Sequence, residues 1–173
     1  MTPLPWEGAE IEDRGTHIAV RTPAGITLNQ LREQFGMDPN VSEPCFYNQD
    51  WYIKEDFATK TTTDNQWHVL PKQVREDWRA KLPEDIEKEL KQGEQFPTAV
   101  TAAFAFFAWW YHIGGEKLWV NDFVWCSDRD HNGDRIYVGR YEDPTGVNKN
   151  GFNIHRHLAL RPAYSAAPEV VDK

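Results

Sequence analysis

The run QFPTAVTAAFAFFAWWYHIGG, Gln95 to Gly115, constrains the chain more than any other stretch. Pro97 can open a helix, because the first turn has no use for the N–H that proline lacks, and Gly114-Gly115 can close one. Between these signals apolar side chains fall on nearly every face. A helix with no polar face cannot lie at a surface, so the remaining chain has to wrap it. Ala99 to Ile113 is shorter than the roughly 20 residues a bilayer span needs, and it includes His112. It is expected to be the central core helix.

The flanking sequence supplies short elements to pack on it. THIAVRT (Thr16 to Thr22) alternates and reads as a strand, and Pro23-Ala-Gly25 turns the chain. Thr27 can cap a helix LNQLREQF whose Leu28, Leu31 and Phe35 share a face, with Gly36 placed to end it. Met37 to Thr63 has no sustained period and is expected to be loop with extended pieces, and WHVLP (Trp67 to Pro71) reads as a strand. Lys72 to Gly93 carries dense mixed charge, with Pro83 at the first turn of PEDIEKELKQ, and is expected to be a solvated helical insertion. From Leu118 the pattern becomes short alternating strands, LWVNDFVWCS, DRIYVGRY and IHRHLALRP. The expectation is a single α+β domain over residues 1–173, with short antiparallel strands packed on a buried central helix.

A net charge of -8 gives no general attraction to nucleic acid or anionic lipid, so neither nucleic-acid binding nor membrane insertion is expected. MTPLPWEGAEIEDRG lacks the basic start and apolar run of a secretory signal, which makes the cytoplasm the default compartment. Cys45 and Cys126 are too few for a disulfide framework and are expected to be ordinary thiols in a monomer.

Several stretches invite a chemical reading. Asp128, Asp130, Asn132 and Gly133 stand at the offsets that open a calcium loop. However, its closing position holds Gly139 where a bidentate Glu is needed, and neither flank is helical. Asn132-Gly133 between alternating runs instead signals a hairpin whose two central residues take positive φ. His155 and His157 fall on one strand face, yet no third ligand is near in sequence. There is no G-x-S-x-G elbow and no glycine-rich phosphate loop. No enzymatic activity, metal or cofactor is expected, and calcium or zinc should leave thermal stability unchanged.

A compositional break is more telling. Glu, Lys, Gln and Met make up 28 of the 117 residues before Leu118, but only Glu142 and Lys149 occur among the 40 from Leu118 to His157. Strand preference produces such a bias by itself. The same segment is rich in short or rigid polar side chains of the kind that antibody-like surfaces use. The candidate ligand-binding set is Asn121, Asp122, Asp128, Asp130, His131, Asn132, Tyr137, Tyr141, Asp143, Asn148, Asn150, Asn153 and His155. Displayed residues of this kind are expected to tolerate replacement, whereas Trp119 and Trp125 are expected to be scaffold.

FPTAVTAAF, GGEKLW, WCSD and LALRPA follow one another in an order that resembles C-type-lectin-like domains of the formylglycine-generating-enzyme type. The resemblance spans about Phe96 to Ala163, with support from Thr16 to Gly36. The oxidase branch of that family uses a cysteine pair near its C-terminus, where Cys126 stands alone. The other branch comprises the variable proteins of diversity-generating retroelements, in which template adenines are rewritten. AAC codons then become NNC, which cannot encode Glu, Lys, Gln, Met or Trp. This resemblance implies a variable segment at about 118–157 that binds a protein or cell-surface ligand. Two alternatives remain: an enzyme of the same fold using Cys126 or a histidine-held metal, and calcium-dependent carbohydrate binding at the Asp128 to Asp134 turn.

Overall fold

A computed structural model of the chain describes residues 6–145, 151–157 and 159–172. In chain order the elements are β1 (Glu10–Arg14), β2 (His17–Arg21), α1 (Leu28–Phe35), α2 (Asp56–Thr59), β3 (Trp67–Pro71), a 3-10 turn (Glu76–Trp78), α3 (Pro83–Glu89), β4 (Glu94–Gln95), α4 (Ala99–Ile113), β5 (Phe123–Arg129), β6 (Arg135–Tyr141), β7 (Gly151–Arg156), β8 (Tyr164–Ser165) and β9 (Glu169–Asp172). The mixed α+β class is as expected.

The apolar run forms α4. The Thr98 hydroxyl accepts from the Thr101 N–H at its start, Gly114 ends it in the left-handed conformation, and every residue from Ala99 to Trp109 is buried. Two sheets flank it. The first has the order β1-β2-β3-β9-β4 and is antiparallel throughout. The second has the order β7-β6-β5-β8, in which β5 and β8 run parallel, a departure from the all-antiparallel expectation. Helix α1 closes one side. Thr27 and Gln30 cap it reciprocally, and its Leu28, Leu31 and Phe35 are buried against the α4 core.

Residues 72–93 are not simply a solvated insertion. The charged residues of this segment do face outward, but Trp78 and Ile86 are fully buried. They join Phe96, Trp125, Tyr137 and Tyr164 in a second apolar cluster on the far face of the second sheet. That sheet is therefore covered on both sides over part of its area. Among the described residues, no helix is long and apolar enough to cross a membrane.

A buried ionic group ties β9 into the first sheet. His68 Nδ1 donates to Glu169 Oε2 at 2.6 Å and Nε2 donates to Asp64 Oδ1 at 2.8 Å, while Gln95 donates to the other Glu169 oxygen. Burial alone would favour neutral imidazole. The two carboxylates outweigh it and raise the His68 pKa to about 9. A raised folded-state pKa stabilises fully below the unfolded-state value near 6.5, and the contribution is lost as pH climbs through about 9. Urea midpoints should accordingly fall between these pH values, by an amount equivalent to roughly 3 kcal/mol. In His68→Gln this slope should vanish; if the variant keeps it, the pH dependence belongs to other groups.

Candidate functional site

Alternation along the second sheet sorts its side chains into two layers. Val124, Cys126, Ile136, Val138, Phe152 and Ile154 face the α4 core. Phe123, Trp125, Tyr137, Tyr141, Asn153 and His155 point the other way. Strand register sets the latter in rows: Trp125 opposite Tyr137 and Tyr137 opposite His155, then Phe123 opposite Gly139 and Gly139 opposite Asn153. The Trp78 cluster covers one end of this face and leaves the other open.

The open end is a cleft of about 640 Å³ lined by Tyr47, Asn121, Phe123, Tyr137, Tyr141, Asn153, His155, Ala159, Arg161, Ala163 and Tyr164. Its floor is aromatic. The Tyr137 ring lies 4.3 Å from Tyr164, tilted by 34°, and its hydroxyl donates to the Tyr164 oxygen at 2.9 Å, while the His155 ring lies 5.5 Å from Tyr137 and 5.9 Å from Phe123. Burial, reinforced by the Tyr164 contact, raises the Tyr137 pKa, so the Tyr137 hydroxyl keeps its proton.

One wall is the segment from Trp119 to Asp122, which crosses over β6. Trp119 and Asn121 hold φ of 50° and 61°, a conformation that bulky residues avoid. The crossing is pinned by Asn121 N–H to Arg140 O at 2.6 Å and by Glu142 N–H to Asn121 Oδ1 at 2.9 Å. The opposite wall comes from the loop at Tyr47, whose N–H donates to Phe152 O at 2.9 Å beside β7.

The cleft unites five of the sequence candidates: Asn121, Tyr137, Tyr141, Asn153 and His155. Other candidates serve the fold. Asp128 Oδ2 accepts from the Ala99 N–H at 2.6 Å and so caps α4; burial raises its carboxyl pKa. Asp130 Oδ1 accepts from the N–H groups of Asn132 and Asp134, and its Oδ2 faces Arg156 at 3.5 Å. Asp122 pairs with Arg79 at 2.7 Å beside a separate depression, and Asp143 closes a turn at Thr145. His131 docks on Glu55, with Nδ1 at 2.5 Å from Oε1, and Asn132 is exposed at the hairpin tip. Asn148 and Asn150 lie outside the described residues.

Tolerance of replacement is therefore no longer expected of Tyr137 and Asn153, which are buried, or of the capping Asp128. Asp128→Ala should cost about 1–2 kcal/mol, the usual loss for a helix-terminal acceptor. Asn132→Ala should change stability by less than about 0.5 kcal/mol. Equal midpoints in urea would show that Asp128 does not hold the start of α4.

The hairpin itself is present, with a different turn. Gly133 takes φ of 86°, but Asn132 is not in the positive region. Gly133 N–H bonds Asp130 O and Asp130 N–H bonds Asp134 O, which makes a three-residue loop closed by a left-handed glycine. The expected pair of positive-φ residues does not occur. Among the described residues, no group of three or more His, Cys, Asp or Glu side chains is arranged to hold a metal ion. The Asp128 and Asp130 oxygens that suggested calcium are engaged as above. His155 and His157 pack on aromatic rings, His157 at 5.4 Å from Trp125. Both cysteines are buried; burial drives the Cys126 thiol well above its ordinary range and Cys45 up to about 12.

Tyr47, Phe123, Arg161 and Tyr164 were not among the sequence candidates. Phe123 carried a usable signal, since it shares strand phase with Trp125; the other three reach the cleft only through long-range pairing. Comparison of the chain with protein-family models, with curated proteins and with solved structures returned no match.

Proposed function

We propose that the chain is a ligand-binding protein that presents the cleft on the second sheet as a diversified recognition surface, in the manner of the lectin-like variable proteins its sequence resembles. The observation that carries this reading is the convergence of Asn121, Tyr137, Tyr141, Asn153 and His155 on one concavity. Asn, Tyr and His are encoded by AAC, TAC and CAC, so each of these residues is one base change or none from a template AAC. Among the described residues, no Glu, Lys, Gln or Met lines the cleft. Trp119 and Trp125, which NNC codons cannot encode, are buried as scaffold.

The physical character of the cleft suits protein recognition. Tyrosines give large contact area at small cost in conformational entropy, and Asn and His add adaptable hydrogen bonds. The enzymatic alternative has little to work with, because the Cys126 thiol is buried and held protonated.

Deep sequencing of the coding segment for Leu118 to His157 across a population of the source organism tests the proposal. Substitutions should concentrate at the codons for Asn121, Tyr141 and His155, the cleft residues that are not buried, spare those for Trp119 and Trp125, and accompany a near-copy of the segment beside a reverse transcriptase gene. An invariant segment, or variation spread evenly over buried and cleft codons, overturns it.

A further inference from the structure

Arg161 is the one arginine among the described residues whose side chain makes neither a hydrogen bond nor an ion pair; its backbone oxygen accepts from the Tyr164 N–H. Arg14, Arg21, Arg75, Arg79, Arg129, Arg135, Arg140 and Arg156 each meet a carboxylate, and Arg32 donates to Gln49 O at 2.7 Å. In a chain of net charge -8 with 27 acidic residues, an unpaired guanidinium needs a reason. Its position supplies one: Arg161 lines the cleft, and no Asp or Glu lines it with Arg161. The cleft is thus a locally cationic spot on an acidic protein, and its floor consists of Phe123, Tyr137, Tyr164 and His155.

We infer that the cleft takes an acidic segment of a partner protein, with a carboxylate paired to Arg161 and a neighbouring aromatic or apolar side chain laid against Tyr137, Tyr141 and His155. The inference rests on the reading that the cleft is the recognition surface. Charge complementarity identifies the occupant. A guanidinium presents parallel N–H donors that fit a carboxylate bidentately. A basic segment would meet an unpaired like charge there, which costs affinity. A cleft of about 640 Å³ accommodates a few side chains, the size of a short peptide anchor.

A random dodecapeptide library displayed on phage, selected on the purified chain, tests the inference. Clones that depend on the cleft are those whose affinity falls at least about tenfold on Tyr141→Ala or His155→Ala. Those clones should be enriched in Asp or Glu next to an aromatic residue. They should bind Arg161→Gln about tenfold more weakly and Arg161→Lys with an intermediate loss. Arg161 is exposed, so melting curves of its variants should overlay the parent and exclude misfolding as the cause. Cleft-dependent clones without acidic enrichment, bound equally by Arg161→Gln, overturn the acidic occupant and leave the recognition surface standing. Failure to recover any cleft-dependent clone overturns both.

Discussion

Phe107→Ala is expected to destabilise the chain by about 3–5 kcal/mol, measured as a fall in the urea midpoint at unchanged slope. The ring is fully buried. It stacks on Phe35 of α1 at 4.1 Å and 6°, and lies 4.9 Å from Phe46, 5.3 Å from Phe106 and 5.8 Å from Phe152 of β7. One side chain thereby joins α4 to a second helix, a loop and the second sheet. Removing it loses the transfer free energy of a phenyl group and leaves a cavity whose walls belong to separately anchored elements, so collapse can recover little. The aromatic pairs add roughly 0.5–1.5 kcal/mol each beyond burial. Tyr141→Ala, at a residue 39% exposed, is the matched control and should cost far less. A Phe107→Ala midpoint equal to that of Tyr141→Ala would mean that α4 is not the centre of the fold.

The burial of α4 was the most legible part of the sequence, because an apolar run bounded by Pro97 and Gly114 has one stable location. Helix α1 was equally plain: Thr27, Gly36 and the Leu28, Leu31, Phe35 face give both ends and the buried side from local signals alone. Strand β1 was not legible. EIEDR is an edge strand with four exposed residues, and without a buried face it has no alternation to detect. Trp78 and Ile86 were hidden for the converse reason. Each stands among charged neighbours that are exposed, and a single buried residue per turn is too sparse a pattern to show a second core.

The candidate site was half legible. Residue type identified the segment, and strand phase could group Tyr137 with Tyr141 and Asn153 with His155. What it could not do was separate polar residues that face a ligand from polar residues that face the fold. Asp128 and Asn121 are chemically similar; one caps α4 from nearly 30 positions away, and the other stands on a strained crossing over β6. Only long-range geometry distinguishes them. Tyr47 and Arg161 lie outside the compositionally distinct segment altogether, so a search confined to that segment misses the Tyr47 wall and the cleft's arginine.

Gly139→Ala is expected to cost about 3 kcal/mol or more and to abolish the cleft, although the substitution adds one methyl group. A Cβ at this position would lie 2.1 Å from the Asp122 carbonyl oxygen and 3.0 Å from Phe123 Cδ1. The obstacle is backbone, so no rotamer change relieves it. Either β6 leaves its register with β5 and β7, or the Trp119 to Asp122 crossing lifts away and carries Asn121 out of the cleft. The comparison with Gly133 isolates the cause. Gly133 has φ of 86° and open space around its Cα, so Gly133→Ala pays conformational strain alone, about 1–2 kcal/mol. Gly139 has no such positive φ and is required for room instead of backbone angle. If Gly139→Ala proves no worse than Gly133→Ala, the crossing is loose and the wall it forms cannot preorganise a ligand. The glycine also limits diversification: GGC is an NNC codon, so rewriting could reach or leave this position as readily as Tyr141, yet most outcomes would destroy the scaffold. Population sequencing should therefore find Gly139 invariant beside a variable Tyr141.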